Sequence, residues 1–513
     1  MAGELLPGMT VFNVRDFGAS GKKEDNARAA IQQAIDTCGA AGGGVVYFPP
    51  GDYTSTTVHL RSHVRIHIEA GATVYSSKDR DSYSKYALFF AEDVNNITLE
   101  GRGTVHGQAE YEWRLMDMQD WYIYPNQLLA EKAGVPLTRS FPTKDTYGNL
   151  VLFIHCQDVQ ITGLSFIDSP TWTMHIFGCD RVVIDGVYVS TSLKSGVWAD
   201  GIDPDGCKDV RISNCTIETG DDALVFYSGH SYGPARPCEN ITVTNCRLTS
   251  ASSALKFCDG NEKAIRNVTI DNCVISGSNR GIALMVFDGG LLENVIITNV
   301  TIECKPFDWF WWGDGDPIHI NCIQRGEIDP NTAKLPQPPV GIIRNVLLRN
   351  VIARGTGPNR IHGHVDSPLQ NITLDMVRLE MTHDPNTYAR KCVNAITVDN
   401  AQNIRMKDVE IVWDTPYSDQ WRSALVVENV RGLTLDGVSA RQAPGSPGAS
   451  AIVLNGVDGA LVAHCRAQED TGNFLQVEGA GTRDIVFRAN DTREAHVPVQ
   501  VSGEVGHSAM REW

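Results

Sequence analysis

Two acidic turns, each just before an apolar stretch, carry the side chains best suited to acid–base chemistry. The first turn, VWADGIDPDG, contains Asp200, and the second, ETGDDALVF, contains Asp221 and Asp222. If the stretches that begin at residues 201 and 223 are equivalent strands, Asp200 and Asp222 stack on neighbouring strands with Asp221 beside them. Crowding raises the pKa of at least one carboxyl and is tolerated mainly where catalysis uses one protonated and one ionised group. We therefore expect an acid–base site made of these three residues.

Two stretches rich in aromatic residues are candidates for binding a sugar. Residues 109–148 and 305–341 interrupt an otherwise repetitive chain, and the second contains Trp311 and Trp312 next to the acidic sequence GDGD at 313–316. The apolar face of a pyranose stacks on an aromatic ring, while its hydroxyl groups need polar partners. For any one of these tryptophans, the anchoring of a loop explains the sequence equally well.

An internal repeat predicts the elements that position these residues. Its pattern is Asn-Val-x-Ile-x-Asn-Cys-x-Ile, and copies beginning at Asn240, Asn267 and Asn294 lie 27 residues apart. Apolar and polar residues alternate within each copy, which is strand periodicity. A fixed period of this length is typical of stacked coils that share one core. We predict an all-β fold, a right-handed single-stranded parallel β-helix with an N-terminal capping helix.

The predicted helix and the coils divide the chain into parts of one domain. Apolar residues at helical spacing predict the capping helix over residues 26–38, with the glycine-rich stretch 39–44 as its C-cap. The expected parts of a single β-helix domain over residues 1–513 are the N-terminal cap and first coils at about 10–60, the coils with both insertions at about 61–487, and a C-terminal cap or tail at 488–513.

The 13 cysteines include no CxxC pair. Five of them are interpreted as occupying the same slot of different repeats, where they would point inward as a ladder of small apolar side chains rather than form a metal or redox site. These five are Cys156, Cys215, Cys246, Cys273 and Cys465.

Charge and hydropathy exclude several classes of partner. Lysine and arginine total 44 against 61 aspartates and glutamates, a net charge of −17, and such a surface repels nucleic acid phosphates and anionic lipids. No apolar run approaches the roughly 18 residues that span a bilayer, so we expect neither nucleic acid nor a membrane as partner. The opening MAGELLPGMTVF lacks an export signal, which favours a cytoplasmic location unless a leader has been removed. The sequence indicates no oligomeric state.

Several motifs occur together between about residues 10 and 300. They are VFNVRDFGASGKKEDNARAAIQQAID, GGGVVYFPPGDY, NITLEGRGTVHGQ, SPTWTMH and the two acidic turns. In these motifs the chain resembles glycoside hydrolase family 28, the polygalacturonase-like pectin hydrolases. The resemblance implies a glycosidase that acts by single displacement with inversion.

The resemblance also implies a role for each carboxyl group. Asp221 matches the general acid that protonates the glycosidic oxygen, and Asp200 and Asp222 match the pair that orients and deprotonates the attacking water. Inversion usually separates acid and base by about 6.5 to 9.5 Å, which leaves room for that water.

The chain departs from the family pattern where polygalacturonases bind galacturonate. The family turn Asn-Thr-Asp is Trp198-Ala199-Asp200 here, the Gly-His-Gly motif aligns with Ala-Ser-Ser at 251–253, and the Arg-Ile-Lys motif aligns with Ala283-Leu284-Met285. A bound carboxylate without a cation is costly. These departures favour rhamnogalacturonan-type or modified galacturonan over plain polygalacturonan.

Two other cations are candidates to replace the missing ones. The repeat places Lys256 in the slot that Ala283 fills one coil later, and Arg280 in line with Asp200 and Asp222. We expect both to recognise the substrate or to tune the pKa values of the carboxyls. The alternative is a structural ion pair with a neighbouring aspartate.

Five more residues are candidates for the substrate cleft. His175 lies in the SPTWTMH motif, and the alternative is that it is a hydrogen-bonded residue of the wall. Asp316 and His319 lie in the second insertion. Asp203 lies in the first acidic turn, and His230 follows the second acidic turn. The first turn lacks the spacing and the distal glutamate of a calcium-binding loop. We predict no metal and no cofactor.

Together these features predict an inverting glycoside hydrolase that acts on pectin-related poly- or oligosaccharides, with the long insertions favouring exo cleavage. A β-helix polysaccharide lyase is the alternative within the same fold. A non-catalytic, glycan-binding β-helix is the alternative from another functional class.

Overall fold

The structure is a computed structural model, and by its internal contacts the chain divides into two compact units. Unit 1 is Met1–Asp117 with Thr138–Ser250, and unit 2 is Met118–Leu137 with Ala251–Trp513. The single domain expected from the sequence therefore stays a prediction. The residues described are 10–111, 113–117, 138–142, 146–257, 260–287, 289–307, 313–327, 334, 336–385, 392–506 and 510–512.

Unit 1 is built mainly of short strands that pair in parallel with the strands one coil before and one coil after. Met174–Phe177, for example, pairs with Asn149–Ile154 and with Ile202–Asp205. Trp113–Asp117 and Thr138–Pro142 instead pair antiparallel with each other. Alternate residues are buried in strands such as Val64–Ile68, as the periodicity predicted. The strands of unit 1 are Val11–Asn13, Gly44–Phe48, Gly51–Ser55, Val58–His59, Val64–Ile68, Ala72–Ser76, Ala87–Glu92, Asn95–Gly101, Thr104–His106, Trp113–Asp117, Thr138–Pro142, Asn149–Ile154, Gln157–Thr162, Ser165–Ile167, Met174–Phe177, Asp180–Asp185, Tyr188–Ser190, Ile202–Asp205, Lys208–Ser213, Thr216–Thr219, Leu224–Phe226, Cys238–Thr244 and Arg247–Ser250.

One α-helix, Arg28–Ala40, packs against the first strands of unit 1. It buries its apolar stripe, including Ile31 and Ile35, and confirms the predicted capping helix. The helix ends two residues later than predicted, and its C-cap, Ala41, lies within the predicted stretch 39–44. Gly39 lies inside the helix, where an added Cβ would come within 2.9 Å of Arg61. Short 3-10 helices are found at Val14–Phe17, Arg80–Ser82, Ala109–Tyr111 and Arg325–Glu327.

Unit 2 continues the same construction with longer strands that run through two faces of a coil. Ala264–Ser278 pairs in parallel with Leu291–Cys304, which pairs with Ile342–Gly355. Its strands are Ser253–Phe257, Ala264–Ser278, Arg280–Phe287, Leu291–Cys304, Asp316–Ile323, Ile342–Gly355, Asn359–His362, Leu369–Met381, Ile396–Trp413, Leu425–Asp436, Ser439–Ala440, Ser450–Asn455, Asp458–Ala463, Arg466–Ala467, Thr471–Glu478, Arg483–Arg488, Ala495–Val501 and Met510–Glu512. The parallel coils of both units confirm the predicted all-β, parallel β-helix fold.

Two predicted irregular segments of unit 2 contain regular strands. The supposed insertion 305–341 includes the strand Asp316–Ile323, which pairs with Arg280–Phe287, because the inward residues of PIHINCI continue the buried apolar column. The supposed tail 488–513 includes Ala495–Val501, which pairs with Thr471–Glu478. Both strands belong to coils. None of the helices in the part of the chain that the structure describes is long and apolar enough to cross a bilayer.

The cysteines of unit 1 form two ladders rather than one. Cys156 lies in the same slot as Cys179, its N–H reaching the Cys179 sulfur over 3.2 Å, whereas Cys215 lies opposite Cys246 in a different slot, because Thr216 pairs with Arg247. Placing Cys156 with Cys215 was therefore wrong. The cysteines of the described residues form no disulfide bond and are buried, which fits the predicted role as small apolar side chains.

Candidate active site

The two acidic turns of unit 1 lie on neighbouring coils. Ile202 lies opposite Leu224 in paired parallel strands, and the N–H of Gly201 donates to the carbonyl oxygen of Asp222 over 2.9 Å. Asp200 and Asp222 are therefore stacked, as the sequence predicted.

Asp200, Asp221 and Asp222 form a buried acidic cluster. Each is at most 3% exposed, and one carboxyl oxygen of each lies within 4.8 Å of those of the other two. Neighbouring strands are about 4.8 Å apart, which fits the spacing of the stacked pair Asp200 and Asp222, whereas Asp221 precedes Asp222 in the same turn. The nearest oxygens are thus closer than the gap of about 6.5 to 9.5 Å expected for an inverting enzyme.

The acidic cluster is electrostatically crowded. Two unit charges at 4.8 Å repel by about 3.5 kcal/mol at an effective dielectric constant of about 20. Carboxyl groups this close can divide the roles of proton donor and proton acceptor between them.

Both oxygens of the Asp221 carboxyl group accept backbone hydrogen bonds. The N–H of Trp198 donates to Oδ2 over 2.9 Å, and the N–H of Asp222 donates to Oδ1 over 3.0 Å. Each carboxyl oxygen has two lone pairs, so these bonds orient the group and leave room for a proton. The bond from Trp198 ties the first acidic turn to the second.

The backbone of the two turns is shaped for this contact. Trp198 has a φ of 65°, an uncommon and strained conformation for a bulky residue, and its side chain is 46% exposed. Gly220 allows the turns to approach each other, because a Cβ there would lie 2.3 Å from the Ser192 oxygen and 2.5 Å from the Gly196 oxygen. The strain and the close approach both serve to bring Trp198 N–H to Asp221.

Three buried hydroxyl side chains also contact the turns. Thr219 and Ser250 both donate to the carbonyl oxygen of Asp221, over 2.7 and 2.6 Å, and Thr191 bridges the two turns. The sequence analysis did not single them out, although all three follow the register of successive coils.

His175 and Asp203 occupy opposite positions of paired strands in unit 1. His175 Nε2 hydrogen-bonds to Asp205 Oδ2 over 3.3 Å, and Asp205 Oδ1 accepts the N–H of Gly229 over 2.7 Å. His175 is 2% exposed and Asp203 is fully buried. His175 is thus the hydrogen-bonded wall residue that the sequence offered as the alternative, and Asp203 does not face solvent.

Aromatic rings that the sequence did not single out surround His175. Trp172 stacks on Tyr227, with ring centroids 5.0 Å apart and planes at 18°, and meets His175 edge-on at 4.5 Å. Tyr232 packs against His175 at 5.4 Å, and burial raises the pKa of its phenol. Trp172, Tyr227 and Tyr232 are half-buried.

This aromatic cluster adjoins the acidic cluster. The N–H of Thr173, the residue after Trp172, donates to the carbonyl oxygen of Asp200 over 2.9 Å. Partly exposed rings beside carboxylates suit a sugar, whose apolar face stacks while its hydroxyl groups are hydrogen-bonded.

The predicted cations lie in unit 2. Lys256, Ala283 and His319 occupy one column on successive coils, as predicted for the first two. Arg280 lies opposite Asp316, and Arg280 Nε is 3.1 Å from Asp316 Oδ2, with side chains only 12% and 4% exposed. The ion pair considered as the alternative for Arg280 is therefore present, and its partner is another predicted site residue.

The remaining predicted residues are less informative. His230 is exposed, just beyond the strand that follows the second acidic turn. Trp311 and Trp312 lie outside the described residues. The acidic cluster is the group close enough to ligate a metal ion among the residues that the structure describes, and the absence of a metal stays a prediction.

A family model named Glycosyl hydrolases family 28 matches residues 38–304, just over half of the 513-residue chain. A Vitis vinifera protein named "Probable polygalacturonase" is 24% identical over 395 residues, covering 71% of this chain and 73% of that protein. The polygalacturonase of Malus domestica is 23% identical over 392 residues, covering 74% and 76%.

Solved structures with the same fold include a family 28 exopolygalacturonase from Yersinia enterocolitica. It has a TM-score of 0.61 at 19% identity and covers 84% of this chain and 79% of its own. The exopolygalacturonase from Thermotoga maritima has a TM-score of 0.53 at 21% identity and covers 83% and 92%. At these identities the structural likeness establishes the parallel β-helix fold.

Proposed function

The chain belongs to glycosyl hydrolases family 28, and on that basis we propose that it hydrolyses a glycosidic bond of a pectin-related carbohydrate with inversion at the anomeric carbon. The observation that carries the proposal is the acidic cluster, three buried carboxyl groups within 4.8 Å of one another on adjacent coils. Such a cluster supplies an acid and a base at one place.

In the proposed reaction Asp221 gives its proton to the glycosidic oxygen while the bond from that oxygen to the anomeric carbon breaks. Asp200 and Asp222 hold a water molecule, and one of them takes a proton from it as the water oxygen bonds to the anomeric carbon. The sum is the addition of one water across the bond. The base then releases its proton to solvent and Asp221 takes one up, which restores both groups for the next cycle.

Because the carboxyl oxygens are so close, the anomeric configuration of the product is a direct test of this mechanism. Retaining enzymes usually separate their two carboxyl groups by about 5 to 5.5 Å and inverting ones by more. With oxygens within 4.8 Å, inversion requires Asp200 and Asp222 to bind the water directly. Proton NMR of the first product should show the inverted anomer; a retained anomer would replace single displacement by a covalent intermediate.

The proposed substrate preference, rhamnogalacturonan-type or modified galacturonan, rests on residues of unit 2. Where polygalacturonases carry the Arg-Ile-Lys motif, Ala283 and Met285 belong to a buried apolar cluster with Phe287 and Ile323. Arg280 is already paired with Asp316. Apolar side chains and a compensated cation favour a sugar with fewer free carboxylates than polygalacturonate has.

The experiment compares the wild type with Asp221→Asn on polygalacturonate, methyl-esterified pectin, rhamnogalacturonan and their oligosaccharides. Asp158→Asn makes the same chemical change at an exposed ion pair with Arg181 and serves as the control. We expect new reducing ends without ultraviolet absorbance, lowered about 10²- to 10⁴-fold in Asp221→Asn and unchanged in the control. Product size then tests the proposed exo mode, which predicts mono- or dimeric products from the start.

Two results would overturn the proposal. Unsaturated products that absorb in the ultraviolet and disappear with a chelator would indicate a lyase. Sugar binding that is equal in the wild type and Asp221→Asn, with no turnover of any substrate, would indicate a glycan-binding protein.

A further inference from the structure

We propose that Thr191, Thr219 and Ser250, here called the hydroxyl column, position the carboxyl group of Asp221 for proton transfer. The inference rests on the proposed function, because that function makes Asp221 the acid. The three are positioning residues, since they act on Asp221 through its backbone and not on the substrate.

The hydroxyl column is a product of the coil register. Thr219 lies opposite Ser250 in paired strands, and Thr191 follows Ser190, which lies opposite Glu218. Thr191 is 5% exposed, and Thr219 and Ser250 are fully buried. Three hydroxyl side chains thus stack on successive coils, out of water, at the edge where the acidic turns begin.

Thr219 and Ser250 hold the peptide group between Asp221 and Asp222. Both hydroxyls donate to its carbonyl oxygen, over 2.7 and 2.6 Å, which uses both lone pairs of that oxygen. The N–H of the same planar peptide donates to Asp221 Oδ1 over 3.0 Å. Fixing one side of this peptide therefore fixes the donor that orients the carboxyl group.

Thr191 acts on the other oxygen of the carboxyl group in the same way. Its Oγ1 donates to the carbonyl of Ala199 over 3.0 Å and accepts the N–H of Gly220 over 2.9 Å. It thereby locks the first acidic turn, whose Trp198 N–H holds Asp221 Oδ2, to the second. Both donors that orient Asp221 depend on the hydroxyl column.

Orientation matters because proton transfer needs the acid within hydrogen-bonding reach of the glycosidic oxygen. A misplacement of about 1 Å can lower a rate about 100-fold. Buried hydroxyls also stabilise a fold without any role in catalysis, so a test must separate the two effects.

The test measures kcat, KM, Tm and the pH profile of Thr219→Val, which keeps the shape and removes the hydroxyl, and of Ser250→Ala. Thr219→Ser restores the hydroxyl. The matched control is Thr57→Val, because Thr57 is also fully buried in unit 1 and donates to a backbone carbonyl, that of Ala87, over 2.8 Å. We expect Thr219→Val and Ser250→Ala to lower kcat about 10-fold or more with little change in KM, and to shift the acid limb of the pH profile. Thr219→Ser should stay near the wild type, and Thr57→Val should lower Tm alone.

Equal falls in Tm for Thr219→Val and Thr57→Val, with kcat of both at the wild-type level, would overturn the proposal. A second readout does not depend on the substrate: a ¹³C NMR titration of labelled aspartates, with the Asp221 signal identified by its loss in Asp221→Asn. The titration of that signal should shift in Thr219→Val and not in Thr57→Val, and an unshifted signal would overturn the positioning role even in an enzyme of different specificity. Failure of the wild type to hydrolyse any pectic substrate would instead count against the proposed function.

Discussion

The same fold stacks asparagines on successive coils of unit 2 and aspartates on adjacent coils of unit 1. The two stacks differ in whether their side chains can hydrogen-bond to one another. An amide carries both a donor and an acceptor, so each asparagine donates from Nδ2 to Oδ1 of the one before it, over 2.8 to 3.2 Å. This asparagine ladder consists of Asn267, Asn294, Asn345, Asn371 and Asn403.

The acidic cluster of Asp200, Asp221 and Asp222 stacks groups that, when ionised, only accept hydrogen bonds. The asparagine ladder is exposed and supplies its own hydrogen-bond partners, whereas the acidic cluster is buried and brings like groups together. The register of the coils thus brings the side chains into contact. The type of side chain determines whether that contact stabilises the fold or can serve in catalysis.

Unit 2 also contains a third arrangement, in which a stacked carboxylate is paired with a cation. Asp316 lies opposite Arg280 and pairs with it at 3.1 Å, with both side chains largely buried. Removing one partner of a buried pair costs about 3 to 5 kcal/mol, whereas removing both costs much less. We therefore expect Arg280→Gln to lower the free energy of unfolding by about that amount, and Arg280→Gln/Asp316→Asn to recover most of the loss, as measured by urea denaturation.

Kinetics of the same variants separate structure from recognition. A loss below about 1 kcal/mol for Arg280→Gln, with a large rise in KM for pectic oligosaccharides, would make Arg280 a substrate-binding residue and contradict the structural interpretation. The matched control is Arg181→Gln, which breaks an exposed pair with Asp158 and should leave the free energy of unfolding almost unchanged.

Relief of the crowding in the acidic cluster should stabilise the protein. Asp221→Asn replaces one of three close ionisable groups with a neutral amide, so the cluster can then carry at most two charges, and we expect the free energy of unfolding at pH 7 to rise by about 2 kcal/mol, less than the roughly 3.5 kcal/mol of a full pairwise repulsion. Repulsion acts only between ionised carboxyl groups. The gain of Asp221→Asn should therefore shrink as the pH falls towards the ordinary aspartate pKa of about 3.9.

Denaturation of the wild type and Asp221→Asn between pH 4 and pH 8 measures this gain. Asp158→Asn, which lacks carboxyl neighbours as close as those of the acidic cluster, should show no such gain. A stability of Asp221→Asn below that of the wild type at pH 7 would mean that the hydrogen bonds to Asp221 outweigh the repulsion.

The repeat made much of this site predictable. Apolar alternation after each acidic turn was sufficient to place Ile202 opposite Leu224, and hence Asp200 beside Asp222, as the structure shows. The same reasoning should have given the spacing, because residues on adjacent coils are about 4.8 Å apart. The expected separation of acid and base, about 6.5 to 9.5 Å, came from a general rule for inverting enzymes and not from the spacing of the coils.

The errors and omissions share a physical cause. Cys156 was placed with Cys215 because a pattern of nine residues does not distinguish two faces of one coil, and the strand Asp316–Ile323 was missed because its sequence lacks that pattern. Tyr227 meets the site through a turn whose length differs from coil to coil, so no sequence spacing reveals it. Contacts between strands of the same face can be predicted from the repeat, whereas contacts made by turns of unequal length cannot.

The smallest expected effect belongs to the asparagine ladder. Asn345 has a φ of 56°, so Asn345→Ala forces alanine into the left-handed region at a cost of about 1 to 2 kcal/mol and also removes two side-chain hydrogen bonds. Asn345→Gly removes the same bonds without the backbone strain, so it should lose less stability in urea denaturation. Both should leave kcat unchanged. A loss of stability as large for glycine as for alanine would show that the ladder stabilises the fold through its hydrogen bonds rather than through the backbone conformation that asparagine tolerates. A fall in kcat would contradict the view that the asparagine ladder is structural and the acidic cluster catalytic.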